Sequence, residues 1–346
     1  MLSKRQSQIL KLIIDTYIES AEPVGSKYIA DLLGHSISSA TIRNEMSFLE
    51  EYGFLTKAHT SSGRVPIDKG YREYVDNLIS LEEINRAERR DLTKALQNYV
   101  YENGNFIEAA TEILSYTTGM VTISVLSKSN KSYLERLKII YMEPGRALVV
   151  SIVSSGVAYN RFIRISELFA ADDLEKIEKI LESNLQGINL NSLSFEDMKL
   201  INLSKNVDAP AVEELLYEIY VSIKQANELD VNVNGLENLM RLPEFDTSSK
   251  IINIYNALDR DGDLINSLDR LNDNNNEEDF TVLIGDEIEI ADLNKCTLIS
   301  AAYNLGDDLH GQISLIGPKR MNYELLIPKV GFIREAIKDE LLGNEK

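Results

Sequence analysis

The 346-residue sequence contains one cysteine, three histidines and no long apolar run. Because Cys296 is the single cysteine, the chain forms no intrachain disulfide, no Cys-x-x-Cys redox pair and no zinc site with two thiolates. No segment approaches the roughly eighteen consecutive apolar residues of a membrane span, and no signal-type apolar block follows Lys4 and Arg5. We therefore expect a cytoplasmic protein, and we assign it no metal, no cofactor and no membrane contact.

Outside the first 75 residues, acidic residues outnumber basic residues. The chain has 36 Lys and Arg residues against 55 Asp and Glu residues, a formal net charge of −19. Residues 1–75 hold nine of the basic and nine of the acidic residues, so this head is neutral and the remainder carries the whole negative excess. An acidic body repels DNA phosphates, and any DNA contact is therefore expected in the head.

The head has the pattern of three helices followed by a small hairpin. Ser26 is a candidate cap of the second helix, and Gly34 suits the left-handed position after that helix. Ser38 or Ser39 is the candidate cap of the third helix. The predicted elements are helices at 6–20, 26–33 and 39–52, strands at 54–58 and 64–66, and a turn at 60–63.

The third helix has an apolar face and an opposite face of small and polar residues. Arginine matches guanine O6 and N7, asparagine matches adenine N6 and N7, and small neighbours let a helix approach base edges. We therefore expect this helix to enter the DNA major groove as the recognition helix of a winged helix-turn-helix. Its expected DNA-binding residues are Ser39, Ala40, Thr41, Arg43, Asn44 and Ser47.

The hairpin is the expected wing, with donors for phosphate oxygens around a tight turn. Glu50, near the end of the third helix, is expected to lie beyond the groove. The expected DNA-binding residues of the wing are Lys57, His59, Thr60, Ser61, Ser62 and Arg64.

Beyond the head, helical and strand-like patterns alternate in blocks. Asp68–Tyr116 has helical spacing, Met120–Ile165 contains strand-like runs that predict an antiparallel sheet, and 168–225 returns to helical spacing. Strands, helices and strands again predict an α+β domain with a helical module inserted into it. The remaining predictions are helices at 235–242, 250–271 and 326–342, strands at 280–284, 297–303 and 312–316, and a polar loop at 272–279.

Six short motifs are distributed along the chain. They are Ser39–Met46 (SATIRNEM), His59–Pro66 (HTSSGRVP), Asp68–Arg72 (DKGYR), Pro243–Phe245 (PEF), Ile284–Glu287 (IGDE) and Ile316–Tyr323 (IGPKRMNY). In this order they resemble motifs of the heat-inducible transcription repressor HrcA family. The resemblance spans nearly the whole chain, is weakest between about 170 and 230, and departs at Lys319, where the family often has a smaller polar residue.

The resemblance implies a domain order and a function. It implies a homodimer that binds double-stranded operator DNA at an inverted repeat, represses chaperone operons and depends on the GroE chaperonin for activity. The implied domains are a winged-helix DNA-binding domain at 1–75, a helical connector at 76–118, a GAF-like antiparallel-sheet domain at 119–169 and 233–346, and an inserted helical dimerisation module at 170–232.

Three other classes of function stay open. A GAF-like domain often binds a small molecule, so the alternative is a ligand-sensing winged-helix regulator, although the Val- and Ile-rich strands favour a core. An enzyme is disfavoured, because His35, His59 and His310 are the only histidines and no catalytic geometry can be proposed. A scaffold without DNA affinity is the third class, and a gel-shift experiment separates it from a repressor.

Two further motifs have simpler interpretations. Asp259–Asp263 resembles the beginning of a calcium loop, but Leu264 and Arg270 replace the required glycine and glutamate. Lys319 and Arg320 are expected to satisfy nearby carboxylates rather than to form a second nucleic-acid site.

Overall fold

In the computed structural model the chain divides into two compact units. The first unit comprises residues 1–125, 231–303 and 312–346, and the second comprises 126–230 and 304–311. The structure describes residues 2–58, 63–81, 83–103, 105–128, 133–154, 158–190, 192–201, 203, 209–225, 230–245, 248–258, 267–268, 280–290, 293–305 and 309–343. The wing-turn residues His59–Ser62, the Asp259–Asp263 segment and the polar loop 272–279 lie outside these ranges.

The head is a bundle of three helices, α1 (Lys4–Ser20), α2 (Ser26–Leu32) and α3 (Ser39–Glu51). Ser3 and Gln6 form a reciprocal capping box at the beginning of α1, which satisfies two backbone N–H groups. The apolar stripes of the helices meet in a core, as the sequence periodicity predicts. Its fully buried members are Ile9, Leu10, Ile13, Ile14, Ile29, Ile42 and Leu49.

The two predictions about the limits of α2 have different outcomes. Gly34 has a φ of +57°, so the predicted left-handed residue after the helix is confirmed. The prediction that Ser26 caps α2 is wrong, because the helix begins at Ser26 and Gly25 precedes it without a side-chain cap. Ser26 is instead buried in the head, where it is 8% exposed.

The hairpin consists of β1 (Leu55–Lys57) and β2 (Arg64–Pro66), which pair antiparallel with Thr56 opposite Val65. The main chain of Arg64 also exchanges two 2.9 Å hydrogen bonds with Val24, between α1 and α2. These bonds fix the base of the wing to the helical part of the head.

The remaining elements follow in chain order. They are α4 (Asp68–Glu73), a π-type turn (Tyr74–Leu78), α5 (Arg86–Asn103), α6 (Phe106–Thr118), β3 (Val121–Lys128), β4 (Leu134–Glu143), β5 (Arg146–Val153), β6 (Ala158–Arg164), α7 (Ala171–Leu185), α8 (Phe195–Leu200), α9 (Ala209–Gln225), β7 (Asp230–Asn234), α10 (Leu236–Leu239), α11 (Ser248–Ala257), β8 (Phe280–Ile284), β9 (Cys296–Asn304), β10 (Leu309–Pro318) and α12 (Tyr323–Leu341).

A five-stranded sheet with the order β7-β3-β10-β9-β8 lies largely in the first unit, and β8 and β9 are antiparallel. Helix α6 packs against α5 and α12. Burial raises the pKa of the Cys296 thiol in β9 to about 12, so this cysteine stays protonated near neutral pH.

The second unit contains a three-stranded antiparallel sheet, β4-β5-β6, packed against α7 and α9. Gly145 has a φ of +84° in the tight turn between β4 and β5. The unit has its own apolar core, which includes Leu137, Val149, Ile163, Leu181, Leu215 and Ile219. Strands and helices of this unit therefore share one core.

The prediction of one antiparallel sheet across Met120–Ile165 is wrong in one respect. Strand β3 pairs with β7 and β10, whereas β4, β5 and β6 form a separate sheet. The burial patterns explain the division, because side chains 121–126 of β3 are all buried while those of β5 alternate. A strand buried on both sides belongs in the interior of a larger sheet.

Candidate nucleic-acid interface

Helix α3 presents a polar face that is open to solvent. Ala40, Arg43, Asn44 and Ser47 are exposed, and Ser39 and Thr41 are half-buried. The opposite face, formed by Ile42, Met46 and Leu49, is buried in the head. The structure thus brings all six residues predicted for the recognition helix onto or beside one accessible face.

The beginning of α3 is held by local hydrogen bonds. The hydroxyl of Ser38 accepts the backbone N–H of Thr41 at 3.1 Å and lies 2.9 Å from the Thr41 hydroxyl. Of the two predicted caps, Ser38 is therefore the one used. The Ser47 hydroxyl donates to the Arg43 carbonyl at 3.0 Å. Within the described part of the chain, no side chain pairs with the Arg43 guanidinium or the Asn44 amide, so both keep their donors for a ligand.

The structure changes the interpretation of Arg64. Its side chain is 11% exposed, and its Nε and a terminal nitrogen contact the Glu50 carboxylate at 2.9 Å and 2.8 Å. Glu50 also lies 3.4 Å from the ammonium group of Lys57. In this structure the Arg64 side chain is thus a structural tie to Glu50, whereas the sequence predicted that it contacts phosphate.

Glu50 thereby has a role that its position in the sequence did not indicate. It joins the end of α3 to β1 through Lys57 and to β2 through Arg64. The Lys57 side chain remains 67% exposed, so it keeps donors towards solvent and remains a candidate phosphate contact. His59, Thr60, Ser61 and Ser62 lie outside the described residues and stay predictions.

Helix α2 adds Lys27 as a candidate DNA contact beyond those predicted from the sequence. Lys27 and Tyr28 are exposed on α2, whereas Ile29 and Ala30 of the same helix are buried. In a helix-turn-helix the first helix of the motif crosses the DNA backbone, and a lysine there suits phosphate. The spacing of the inward residues was the signal that pointed to this outward face.

Ion pairs through α4 connect the head to the sheet domain of the same unit. Arg72 pairs with Glu287 and donates to the Val282 carbonyl, and Asp68 pairs with Lys319. The hydrogen bond with Glu287 raises the pKa of Arg72. Burial of Glu287 opposes ionisation, yet the hydrogen bond with Arg72 leaves its pKa below the ordinary value.

The neighbouring Arg320 pairs with Glu244, and its guanidinium lies 3.4 Å from the Ile18 carbonyl in the head. Together with the pair between Lys319 and Asp68, this confirms that the two basic residues satisfy nearby carboxylates. Both side chains thus make contacts within the first unit, and Arg320 also reaches the head.

Comparisons with known proteins agree with this geometry. Residues 1–77 match the family pattern described as "Winged helix-turn-helix transcription repressor, HrcA DNA-binding". Residues 104–327 match the pattern described as "HrcA protein C terminal domain". The chain belongs to the HrcA family. The family resemblance of the sequence motifs is thereby confirmed over most of the chain.

Individual HrcA relatives match along nearly their whole length. Heat-inducible transcription repressor HrcA of Acetivibrio thermocellus is 33% identical, with 98% of this chain and 96% of that protein covered. The repressors of the same name from Clostridium tetani and Bacillus pumilus are 34% and 31% identical, with 99% of this chain covered in both and 97% and 98% of those proteins.

One solved structure shares the fold. It is titled "Crystal structure of a hypothetical protein at 2.2 A resolution", is 23% identical, covers 100% of both chains and has a TM-score of 0.69. The α+β architecture with an N-terminal winged helix is thus shown for this HrcA family member. In the described part of the chain, no group of three or more metal-binding side chains comes together. None of the helices described is long and apolar enough to cross a membrane.

Proposed function

We propose that this protein is a heat-inducible transcription repressor that binds operator DNA through the exposed face of α3. The observation that carries the proposal is that Arg43 and Asn44 are exposed on a helix whose other face is buried, and that no described side chain pairs with their donors. These two side chains suit base edges in the major groove. The similarity to the heat-inducible transcription repressors of Acetivibrio thermocellus and Clostridium tetani supports the same conclusion.

The DNA contacts are of two kinds, contacts with bases and contacts with phosphates. Ala40, Arg43, Asn44 and Ser47 face the bases, and Ser39 and Thr41 stand at the end of the helix that enters the groove first. Lys57 and the wing turn, His59, Thr60, Ser61 and Ser62, hold phosphates on one side. Arg64 acts indirectly, since it fixes the wing strand through Glu50.

We further propose that the protein acts as a homodimer on an inverted repeat. An operator with two symmetric half-sites requires two heads related by a two-fold axis. The outer face of the β4-β5-β6 sheet supports this proposal, because Ile140, Leu148 and Phe162 stand directly opposite one another on adjacent strands. Ile140 is 46% and Phe162 57% exposed, as expected of a surface that a second copy covers.

A pair of matched variants tests the dimer surface. Phe162→Glu places a charge at the exposed β6 end of the apolar strip, and light scattering should show a shift from dimer to monomer. Leu200→Glu is the control, because Leu200 in α8 is equally apolar and 83% exposed but lies off the sheet. If Phe162→Glu leaves the mass unchanged while Leu200→Glu halves it, the dimer contact is on the helical side of the second unit.

The regulated genes and the regulator follow from the family. We propose that the protein represses chaperone operons in the bacterial cytoplasm, has no enzymatic activity, and is kept active by the GroE chaperonin. A multidomain chain with many non-local contacts exposes apolar surface while it folds, which makes dependence on a chaperonin physically reasonable.

A footprint on DNA upstream of the host's chaperonin genes tests the whole proposal. Purified protein should protect two half-sites related by a two-fold axis, and protection should increase when chaperonin and ATP are added after mild heating. Absence of a protected site would overturn the assignment as a repressor. Protection that is equal with and without chaperonin would remove the regulatory part alone.

A further inference from the structure

A long groove runs between α5 and α12 in the first unit, away from the residues assigned to DNA. Its volume is about 930 Å³. The lining side chains come from the beginning of α5 and the loop before it, from the beginnings of α6 and β8, and from most of α12. Everything that forms it belongs to one compact unit.

One end of the groove is apolar and aromatic. Phe280 and Phe332 are half-buried in its walls, Ile327 is buried at its base, and the Arg89 guanidinium lies over the Phe332 ring. Gly331 lets α12 come close to Phe280, because a Cβ at that position would lie 2.7 Å from the ring. Two half-exposed phenyl rings beside each other form a surface that an apolar partner can cover.

The other end of the groove is negatively charged. Asp339 and Glu340 line it in the last turns of α12, where the carboxyl end of the helix dipole adds further negative potential. In the described part of the chain, neither carboxylate has an ion-pair partner. Arg334, by contrast, lies over the Phe280 ring and pairs with Glu335 at 2.7 Å.

The length of the groove suits a helix. From Ile327 to Asp339 the axis of α12 advances by about 18 Å, or roughly three turns. An amphipathic helix that lies in such a groove contacts it through residues at i, i+3, i+4 and i+7. A compact organic molecule would fill one end and leave the other exposed.

We propose that this groove binds an amphipathic helix of a partner protein, with the apolar stripe on the phenylalanines and a cluster of Lys or Arg at the end facing Asp339 and Glu340. Burial of the apolar stripe supplies most of the contact area, and the two carboxylates set the direction in which the partner helix lies. The site is separate from the DNA contacts proposed for α3, so operator binding provides an independent readout.

Three synthetic peptides test the partner's chemistry on the full-length protein. Each has about 18 residues, enough for the groove and one extra turn, and the same leucine stripe. One carries four lysines at one end, one carries four glutamates there, and one has the lysine composition with the stripe scrambled. By fluorescence anisotropy the lysine-ended peptide should bind about tenfold or more tightly than the other two.

Matched variants locate the binding. The double variant Asp339→Lys with Glu340→Lys should reverse the preference between the lysine and glutamate peptides. Asp172→Lys with Glu214→Lys changes the net charge equally, at exposed positions in the second unit, and should leave the preference unchanged. Circular dichroism and operator binding confirm that each variant is folded.

A groove-filling pair tests the apolar end. Ala336→Trp inserts an indole into the groove wall and should abolish binding of the lysine peptide, whereas Asn98→Trp, exposed on α5 outside the groove, should not. Equal binding of all three peptides, or full binding by the Ala336→Trp variant, overturns the proposal. So does a loss of dimer mass in Ala336→Trp, which would identify a second copy of the chain as the occupant.

Discussion

At the scale of single residues, α3 separates side chains that reach out from side chains that hold the head together. Among the residues that the structure describes, Arg43 and Asn44 have no side-chain partner, while Thr41 and Ser47 use their hydroxyls on or beside their own helix. Arg64 and Glu50 satisfy each other at the base of the wing. Substitutions at these positions should therefore have different effects on DNA binding and on folding.

The first prediction concerns base reading. Arg43→Ala should cost about 1–3 kcal/mol on the operator and relax discrimination against altered bases, with little change on random DNA. The comparison variant, Lys57→Ala, should weaken binding to operator and to random DNA by similar factors. It should also reduce the slope of log K against log salt by about one unit. The measurement is a salt series of binding isotherms on operator and scrambled duplexes.

The opposite pattern would reverse the docking. If Arg43→Ala keeps full specificity while Lys57→Ala loses it, the wing reads the bases and α3 rests on the backbone.

The second prediction concerns Arg64. Arg64→Ala leaves the Glu50 carboxylate half-buried without its main partner, which should lower the free energy of unfolding by about 1–3 kcal/mol. Glu50→Gln should destabilise less, and the double variant should show that the two effects are not additive. Urea unfolding gives the stabilities, and the salt dependence of DNA binding should keep its slope. Unchanged stability with a slope reduced by one unit would restore the phosphate contact expected from sequence.

At the scale of elements, the contact between α4 and the wing depends on one glycine. The α-carbon of Gly70 lies against the Phe54 carbonyl, and an added Cβ would overlap that oxygen. Because the obstacle is backbone, no side chain can move aside to make room.

The third prediction follows from this close approach. Gly70→Ala should lower the free energy of unfolding by about 1–3 kcal/mol and impair the wing. Gly25→Ala is the matched control, since nothing lies within 4 Å of a Cβ there and its φ is −97°. Its cost should stay at about 0.5–1 kcal/mol, because alanine is a poorer N-cap residue than glycine. The measurement is thermal unfolding. If both variants lose the same stability, α4 has room to shift away from Phe54.

Elements also show how far sequence patterns reach. The limits of α3 and the strands of the wing follow from caps and alternating residues that lie within a few positions of one another. Local signals do not predict how β3 pairs or how β4, β5 and β6 pack against α7 and α9. These contacts depend on partners that are far away in the chain. Strand β7 was not predicted, since five residues of mixed character give a weak local signal.

At the scale of the whole molecule, α4 couples the head to the sheet domain. Arg72 with Glu287 and Asp68 with Lys319 are half-exposed pairs that form a small network. Such pairs contribute about 0.5–1 kcal/mol each, so the contact is weak enough to respond to pH and salt.

The fourth prediction is a pH dependence. The folded-state pKa of Glu287 lies below its ordinary value of 4.5, so its contribution is present above pH 4.5 and is lost as the pH falls through the folded pKa. Arg72→Ala should therefore lower the Tm at pH 7, and its difference from the native chain should shrink as the pH falls below 4.5.

The control is Lys176→Ala, which removes an exposed pair between Lys176 and Asp173, three residues apart in the second unit. It should change the Tm little at either pH. A difference between Arg72→Ala and the native chain that is constant from pH 7 to pH 3 would show that Arg72 acts through packing rather than charge.

The sequence by itself determined the neutral head on an acidic body, the three helices and wing, the outward face of α3 and the family, because these depend on composition and on residues close together in the chain. Tertiary structure alone decided that Arg64 faces Glu50 and that Asp68 and Arg72 bind the sheet domain. It also decided that β3 pairs in a different sheet from β4, β5 and β6. These contacts join residues up to 251 positions apart. A side chain's partner at that distance is set by how the packed elements meet, which no local spacing encodes.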